Sequence, residues 1–228
     1  MRPYVVPPKR FSRPPFTSPN SHVPHDKLIE KVISIIMMLS ERFAEALVFA
    51  FQLHAGQLRK GTSIPYIAHL LGVTSLVLEQ GADEDTAIAA LLHDAIEDAG
   101  GAATREEIRR RFGPKVVEIV TSCTDAETFP KPAWRERKEA YIAHIRKASP
   151  AARLVSAADK LHNARAILMD YRTLGESLWS RFNGGKEGTL WYYRALVAAL
   201  RESGPTPLVE ELDRVVTEIE HLTAEEAS

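Results

Sequence analysis

Between residues 89 and 99 the chain reads Ala-Ala-Leu-Leu-His-Asp-Ala-Ile-Glu-Asp-Ala, an apolar helix that closes on an imidazole and three carboxylates just ahead of Gly100 and Gly101. Paired glycines after a periodic stretch mark a helix C-terminus. Carboxylates in a last turn oppose the helix dipole by roughly 0.3–1 kcal/mol each when exposed. They also repel one another. A helix selected for stability alone would end on Lys or Arg. His93, Asp94, Glu97 and Asp98 therefore predict a positive partner against this turn, and a divalent cation is the simplest one. Ile88, Leu91, Leu92 and Ile96 are left to supply packing.

A length of 228 residues suits one domain, or one domain with a tail, and is enough to bury a sizeable core. The 29 basic and 30 acidic residues nearly cancel, which argues against a general nucleic-acid coat and against attraction to an anionic membrane. Phosphate binding would have to rest on a local cluster. Cys123 is the only cysteine, so there is no disulfide framework or cysteine-built zinc site, and a reducing cytoplasm is expected. The apolar run from Val32 to Leu39 is too short to span a bilayer, and no small-residue cleavage site follows it.

Residues 1–25 carry seven of the 14 prolines and no periodicity. A disordered tail over 1–36 is expected, outside the functional protein if translation starts at Met37 or Met38, with a single functional domain over 37–228. From Ser40 onward nearly every segment has helical spacing. Ser40 should cap a helix ending near Gly56, with a basic loop over 57–64. Pro65 should open a helix to Gln80, and Asp83 should cap the helix that carries the acidic turn. Thr104-Arg-Glu-Glu107 reads as a capping box for a short helix to Phe112, broken at Gly113-Pro114. Helices are further predicted over 115–124, 133–147, 150–170, 189–201 and 207–222, with loops over 126–132 and 182–188. No convincing strand alternation is present. The expected fold class is all-α, a compact multi-helix bundle.

Successive helical side chains diverge by about 100°, so His93 and Asp94 meet at one ion only on a helix edge facing a cavity. Further donors must come from elsewhere. Asp159 sits in an otherwise apolar face, Leu154-Val-Ser-Ala-Ala-Asp, and His69 lies near the start of its own helix. Two imidazoles and two carboxylates suit Mn²⁺, Fe²⁺ or Zn²⁺ better than Ca²⁺ or Mg²⁺. Taken singly, His69 reads as a hydrogen-bonded core histidine and Asp159 as an inter-helix cap or ion-pair partner. Order and spacing together favour a metal site.

In its His69…His93-Asp94…Asp159 order the chain resembles the HD phosphohydrolase superfamily. Within it, the chain is similar to the hydrolase domain of the RelA/SpoT enzymes and to the small alarmone hydrolases, which include the metazoan SpoT homologue. The matching segments are residues 54–60, 65–69, 90–98, 111–113 and 158–165. The resemblance implies that His69, His93, Asp94 and Asp159 hold one Mn²⁺ and that Glu97 and Asp98 position or deprotonate the attacking water. It implies that Arg59, Lys60 and Asn163 contact a guanosine polyphosphate, and that the reaction removes pyrophosphate from the 3′ position of guanosine tetra- or pentaphosphate. Departures are Gly61-Thr-Ser-Ile64, one residue longer than usual, Leu70 where Pro normally follows the histidine, and Ala166 in place of Thr. They bear on nucleotide preference.

Lys131 and Lys160 are second-tier phosphate contacts, Lys160 equally an ion partner of a nearby carboxylate. Trp191-Tyr-Tyr193 reads as core first and as a base-pocket wall second, and His162 as a core residue or a support behind the ligands. The resemblance fades after residue 170, and the residues beyond the last glycine-rich loop are too few for a synthetase domain, so a hydrolase alone is expected. The competing readings are another HD phosphatase, acting on deoxynucleotide monophosphates or the 2′-phosphate of NADPH, and a non-catalytic nucleotide sensor.

Overall fold

Seven consecutive residues, Thr86 to Leu92, are buried in one short helix, and the rest of the fold is arranged around it. An all-round apolar helix has no solvent face to offer, so it must be covered on every side. The structure, a computed structural model, describes residues 39–125 and 132–225. The expected tail over 1–36, a start at Met37 or Met38, and Lys131 lie outside the described residues. Met38–Ser228 forms one unit.

The described residues are all-α. They form α1 (Glu41–Leu53), α2 (Ile67–Glu79), α3 (Glu84–Leu92), α4 (Ala95–Asp98), α5 (Ala102–Cys123), α6 (Trp134–Ile145), α7 (Pro150–Leu174), a 3₁₀ turn (Gly175–Arg181), α8 (Gly185–Arg201) and α9 (Pro207–Glu225). Among them the sole extended pairing is an isolated bridge between Leu58 and Pro65. The central helix α3 packs against α1, α2, α5 and α7, while α9 covers α7 and α8. No helix among the described residues is long and apolar enough to cross a membrane.

Caps set several of these boundaries. Ser40 accepts from the Arg42 N–H at 3.2 Å, Asp83 from the Thr86 N–H at 3.0 Å, and Ser149 from the Ala152 N–H at 3.3 Å with Pro150 behind it. Each satisfies one of the orphan donors of a first turn.

Three sequence expectations are corrected. Thr104 does not cap a helix: α5 starts at Ala102, and the Thr104 hydroxyl donates back to the Ala99 carbonyl. The expected break at Gly113-Pro114 is present, as a kink in α5 where Gly113 adopts φ 88°, a conformation other residues reach only with strain. The loop expected over 182–188 is shorter, because α8 already begins at Gly185, and α7 continues to Leu174 rather than Asp170.

Candidate active site

The acidic turn is not the end of α3. That helix stops at Leu92, and Asp94 is the N-terminal cap of α4, so Glu97 and Asp98 stand in a first turn. α4 is a single turn, so Glu97 and Asp98, ahead of Ala99 and the paired glycines, also close it. At the break His93 donates from Nδ1 to the Ala90 carbonyl at 2.8 Å, the acceptor that a continuing helix would offer to residue 94. Freed from regular geometry, His93 and Asp94 converge instead of diverging: His93 Nε2 is 3.0 Å from Asp94 Oδ2.

His69 from α2 and Asp159 from α7 meet them. His69 Nε2 lies 3.2 Å from Asp159 Oδ1 and 3.7 Å from Asp94 Oδ2, and His93 Nε2 lies 3.7 Å from Asp159 Oδ1. Donor atoms of His69, His93 and Asp159 fall within 4.8 Å of one another, and all three residues are buried. Asp94 is shared, because Tyr66 donates its hydroxyl to the same Oδ2 at 2.5 Å.

Two features fit a cation at the centre. Both buried Nε2 atoms lack a hydrogen-bond partner among the described residues, an arrangement folded proteins avoid. Atoms bound at about 2.1 Å to one cation sit roughly 3.0–3.4 Å apart in octahedral or tetrahedral coordination. The four spacings here run from 3.0 to 3.7 Å. Charge balance points the same way. Burial alone would raise the Asp159 pKa, but Lys160 and the two imidazoles hold it well below the carboxylate range. Burial alone would lower that of His93, and the Asp94 and Asp159 carboxylates override it. Burial dominates at His69, whose pKa falls, which keeps the ring neutral and able to ligate.

The cluster borders a cavity of about 520 Å³, within the ordinary range for a small-molecule site. Asp94 and Glu97 are among its lining residues. Six cationic side chains also line it, Arg59, Lys60, Arg137, Lys138, Lys160 and Arg181, against the carboxylates of Asp94, Glu97, Asp125 and Asp170. Tyr66, Trp134, Tyr141, Phe182, Tyr192 and Tyr193 give it aromatic walls. Arg59 is presented by a pinned loop, in which the Arg59 N–H donates to the Ile64 carbonyl at 2.8 Å and the Tyr66 N–H to that of Gln57 at 2.9 Å.

Of the residues singled out from sequence, Arg59, Lys60, Asp94, Glu97, Lys160 and Asn163 share this cavity. Lys160 lines the cavity, and its Nζ is 2.5 Å from Asp159 Oδ2, the ion pair expected of it. Tyr192 and Tyr193 are buried and line it, while Trp191 packs outside with the Arg135 guanidinium over its ring. Asp98 does not line the cavity. It accepts from Gln57 Nε2 at 2.8 Å, and Gln57 Oε1 meets His54 Nδ1 at 2.7 Å. Partial burial, with Asp94 and Glu97 near, raises the Asp98 pKa.

Sequence reasoning passed over Tyr66, Trp134, Arg137, Lys138 and Asp125. Asp125 Oδ2 accepts from Arg137 and, at 2.8 Å, from Lys138, which holds both cations at the cavity. Burial and Lys160 lower the Lys138 pKa. Tyr66 was adjacent to Pro65 in a matching segment and so carried a signal. The pairing of residue 125 with 137 and 138, across twelve or thirteen positions, carried none.

Comparison with known proteins agrees with this geometry. Residues 46–190 match the HD domain family. The chain is 44% identical over 126 residues to guanosine-3′,5′-bis(diphosphate) 3′-pyrophosphohydrolase MESH1 of Xenopus tropicalis, covering 54% of this chain and 68% of that relative. Against the human protein of the same name identity is 39% over 126 residues, with the same coverage. In structure it is similar to a metazoan ortholog of SpoT that hydrolyzes ppGpp and plays a role in starvation responses, with a TM-score of 0.67 and 29% identity over 79% of this chain and 96% of that one. An imidazole–carboxylate cluster drawn from three helices beside a basic cavity, and a match over most of its length, show that this chain belongs to the HD-domain family, whose members hold a divalent metal.

Proposed function

We propose that this chain is a metal-dependent 3′-pyrophosphohydrolase of guanosine tetra- and pentaphosphate, releasing GDP or GTP and pyrophosphate, with Mn²⁺ as the ion and residues 37–228 as the hydrolase unit. The observation that carries the reading is the buried His69, His93, Asp159 cluster joined, through Asp94, to a cavity lined by six cations. The relatives named for that reaction support it. So does the pairing of imidazoles with carboxylates, a donor set that suits Mn²⁺.

His69, His93, Asp94 and Asp159 would hold Mn²⁺, which would supply Lewis acidity to a phosphoryl oxygen and to water. Glu97, at the cavity wall one turn beyond His93, accepts the proton of the attacking water. As the water oxygen bonds to the inner phosphorus of the 3′-diphosphate, the bond to the 3′ oxygen breaks and that oxygen takes up a proton. Asp98 keeps a second carboxyl of raised proton affinity on the same turn, oriented by Gln57. Arg59, Lys60, Lys138 and Lys160 offset the substrate's negative charge, and Lys131, outside the described residues, is a further candidate contact. Asn163 donates its Nδ2 to Asp159 Oδ1 at 2.6 Å and accepts from Arg59, and so ties phosphate binding to the ligand cluster.

The substrate is a free nucleotide rather than nucleic acid or a membrane lipid, and the reaction is placed in the cytoplasm. A panel of guanosine tetraphosphate, guanosine pentaphosphate, NADPH and deoxynucleotide monophosphates, assayed with Mn²⁺ and after chelation, tests the proposal. Pyrophosphate released from the guanosine polyphosphates is the expected product. Phosphate released from NADPH or the monophosphates alone would replace this reading with that of a different phosphatase.

A further inference from the structure

The two imidazoles of the cluster are held from behind in different ways. His93 donates from Nδ1 to the Ala90 carbonyl at 2.8 Å. A carbonyl only accepts, so the proton stays on Nδ1 and Nε2 keeps its lone pair for the cluster. Behind His69 stands a second imidazole instead. His69 Nδ1 lies 3.0 Å from Nδ1 of His162, with ring centroids 4.8 Å apart.

An imidazole nitrogen either donates or accepts, so this contact fixes nothing until one role is assigned. For His69 Nε2 to face the cluster with a lone pair, its proton must sit on Nδ1. His162 Nδ1 must then accept, and the His162 proton goes to its own Nε2. His162 is on α7, three residues beyond Asp159, and is not among the residues lining the cavity. Its ring contact with His69 is its link to the cluster.

Its seat is prepared by Gly72, three residues after His69 on α2. A Cβ at position 72 would fall 2.3 Å from both Cδ2 and Nε2 of the His162 ring. Glycine inside a helix costs roughly 0.5–1 kcal/mol relative to Ala, so a packing reason is expected for it. Here the missing Cβ is the space that the ring of His162 occupies. Any larger residue would push the ring away from His69.

We propose that His162, seated on Gly72, is a positioning residue that fixes the tautomer and rotation of His69 for metal binding. The proposal rests on the reading of the cluster as a divalent metal site. Outer partners of ligating histidines commonly change metal affinity 10–100-fold when removed.

Titrating metal-free protein with Mn²⁺, with free ion followed by electron paramagnetic resonance, reads affinity without turnover. His162→Leu, which cannot accept, should bind Mn²⁺ about 10–100-fold more weakly. His162→Asn, whose Oδ1 reaches the place of Nδ1, should recover most of the loss. Wild-type affinity in His162→Leu would overturn the proposal, and so would an Asn variant as weak as Leu. Melting of the metal-free variants reports folding separately. If His162→Leu does not fold, Asn against Gln makes the same comparison, since a Gln amide reaches the Nε2 position instead; equal affinities for the two would count against the idea. Asp159→Ala serves as the control for the site itself. Tight stoichiometric Mn²⁺ in that variant would remove the metal-site reading, a failure distinct from that of His162.

Discussion

Arg59 donates to Asn163 Oδ1 at 2.7 Å, joining the loop after α1 to the middle of α7 across 104 positions of sequence. Asn163 in turn donates to Asp159. A cation of the substrate loop and a carboxylate of the metal cluster are thus two hydrogen bonds apart. The guanidinium also lies 5.9 Å from the Tyr66 ring centroid, beside the hydroxyl that holds Asp94.

Arg59→Ala should therefore raise KM for guanosine tetraphosphate about tenfold, equivalent to ~1.4 kcal/mol of binding. Arg59→Lys should restore only part of it, because an ammonium keeps the charge and loses the planar fork. Steady-state kinetics check this. An unchanged KM in the Ala variant would remove Arg59 from the substrate site.

Glu97→Gln keeps size and loses the base. kcat should fall by roughly 10²–10⁴, the usual contribution of general-base catalysis. Bound Mn²⁺ and nucleotide affinity should stay near wild type. A rate within a few-fold of normal would reassign the proton to another group.

Chelation should abolish turnover, and added Mn²⁺ should restore it. Metal bound only by the folded state also stabilises it, by about 2.7 kcal/mol at a hundred times Kd. Calorimetry should show the melting temperature rising with Mn²⁺ in the wild type and staying flat in Asp159→Ala. A variant that still responds would shift the site away from Asp159.

The cap of α3 carries an acid sensitivity of its own. Lys115, 2.5 Å from Asp83, and the Thr86 hydroxyl and N–H hold the Asp83 pKa down to about 2. The unfolded value is ~3.9, so this stabilisation is complete above about pH 4 and is lost as pH falls through about 2. Asp83→Ala should cost about 1 kcal/mol at neutral pH through the lost cap. Its deficit against wild type should shrink between roughly pH 4 and pH 2 in urea titrations. A deficit that stays constant over that range would show that the carboxylate's charge contributes nothing.

Much of the fold was legible along the chain. Ser40, Asp83 and Ser149 with Pro150 announce helix starts because a cap is a local bond, made within two or three residues. The all-round apolar stretch ahead of His93 announces a buried helix for an equally local reason. Where the sequence misled, a competing local bond had intervened. Thr104 has the spacing of a capping box, yet its hydroxyl bonds the Ala99 carbonyl, and the helix begins two residues earlier.

His69, His93, Asp94 and Asp159 were recognisable by residue type and order, since buried imidazoles and carboxylates among apolar neighbours need a reason to be there. Their convergence was not. Regular helical geometry keeps His93 and Asp94 about 100° apart, and the helix break beside Ala90 brings them within 3.0 Å. The cavity wall from Trp134, Lys138 and Tyr192, and the contact of His162 with His69, join residues from α2, α6, α7 and α8. The amino-acid sequence by itself determined which segments become helices and which side chains can bind a cation, because both are properties of near neighbours and of side-chain chemistry. Tertiary packing alone decided which of those side chains meet, because distances between helices are set by how their buried faces fit.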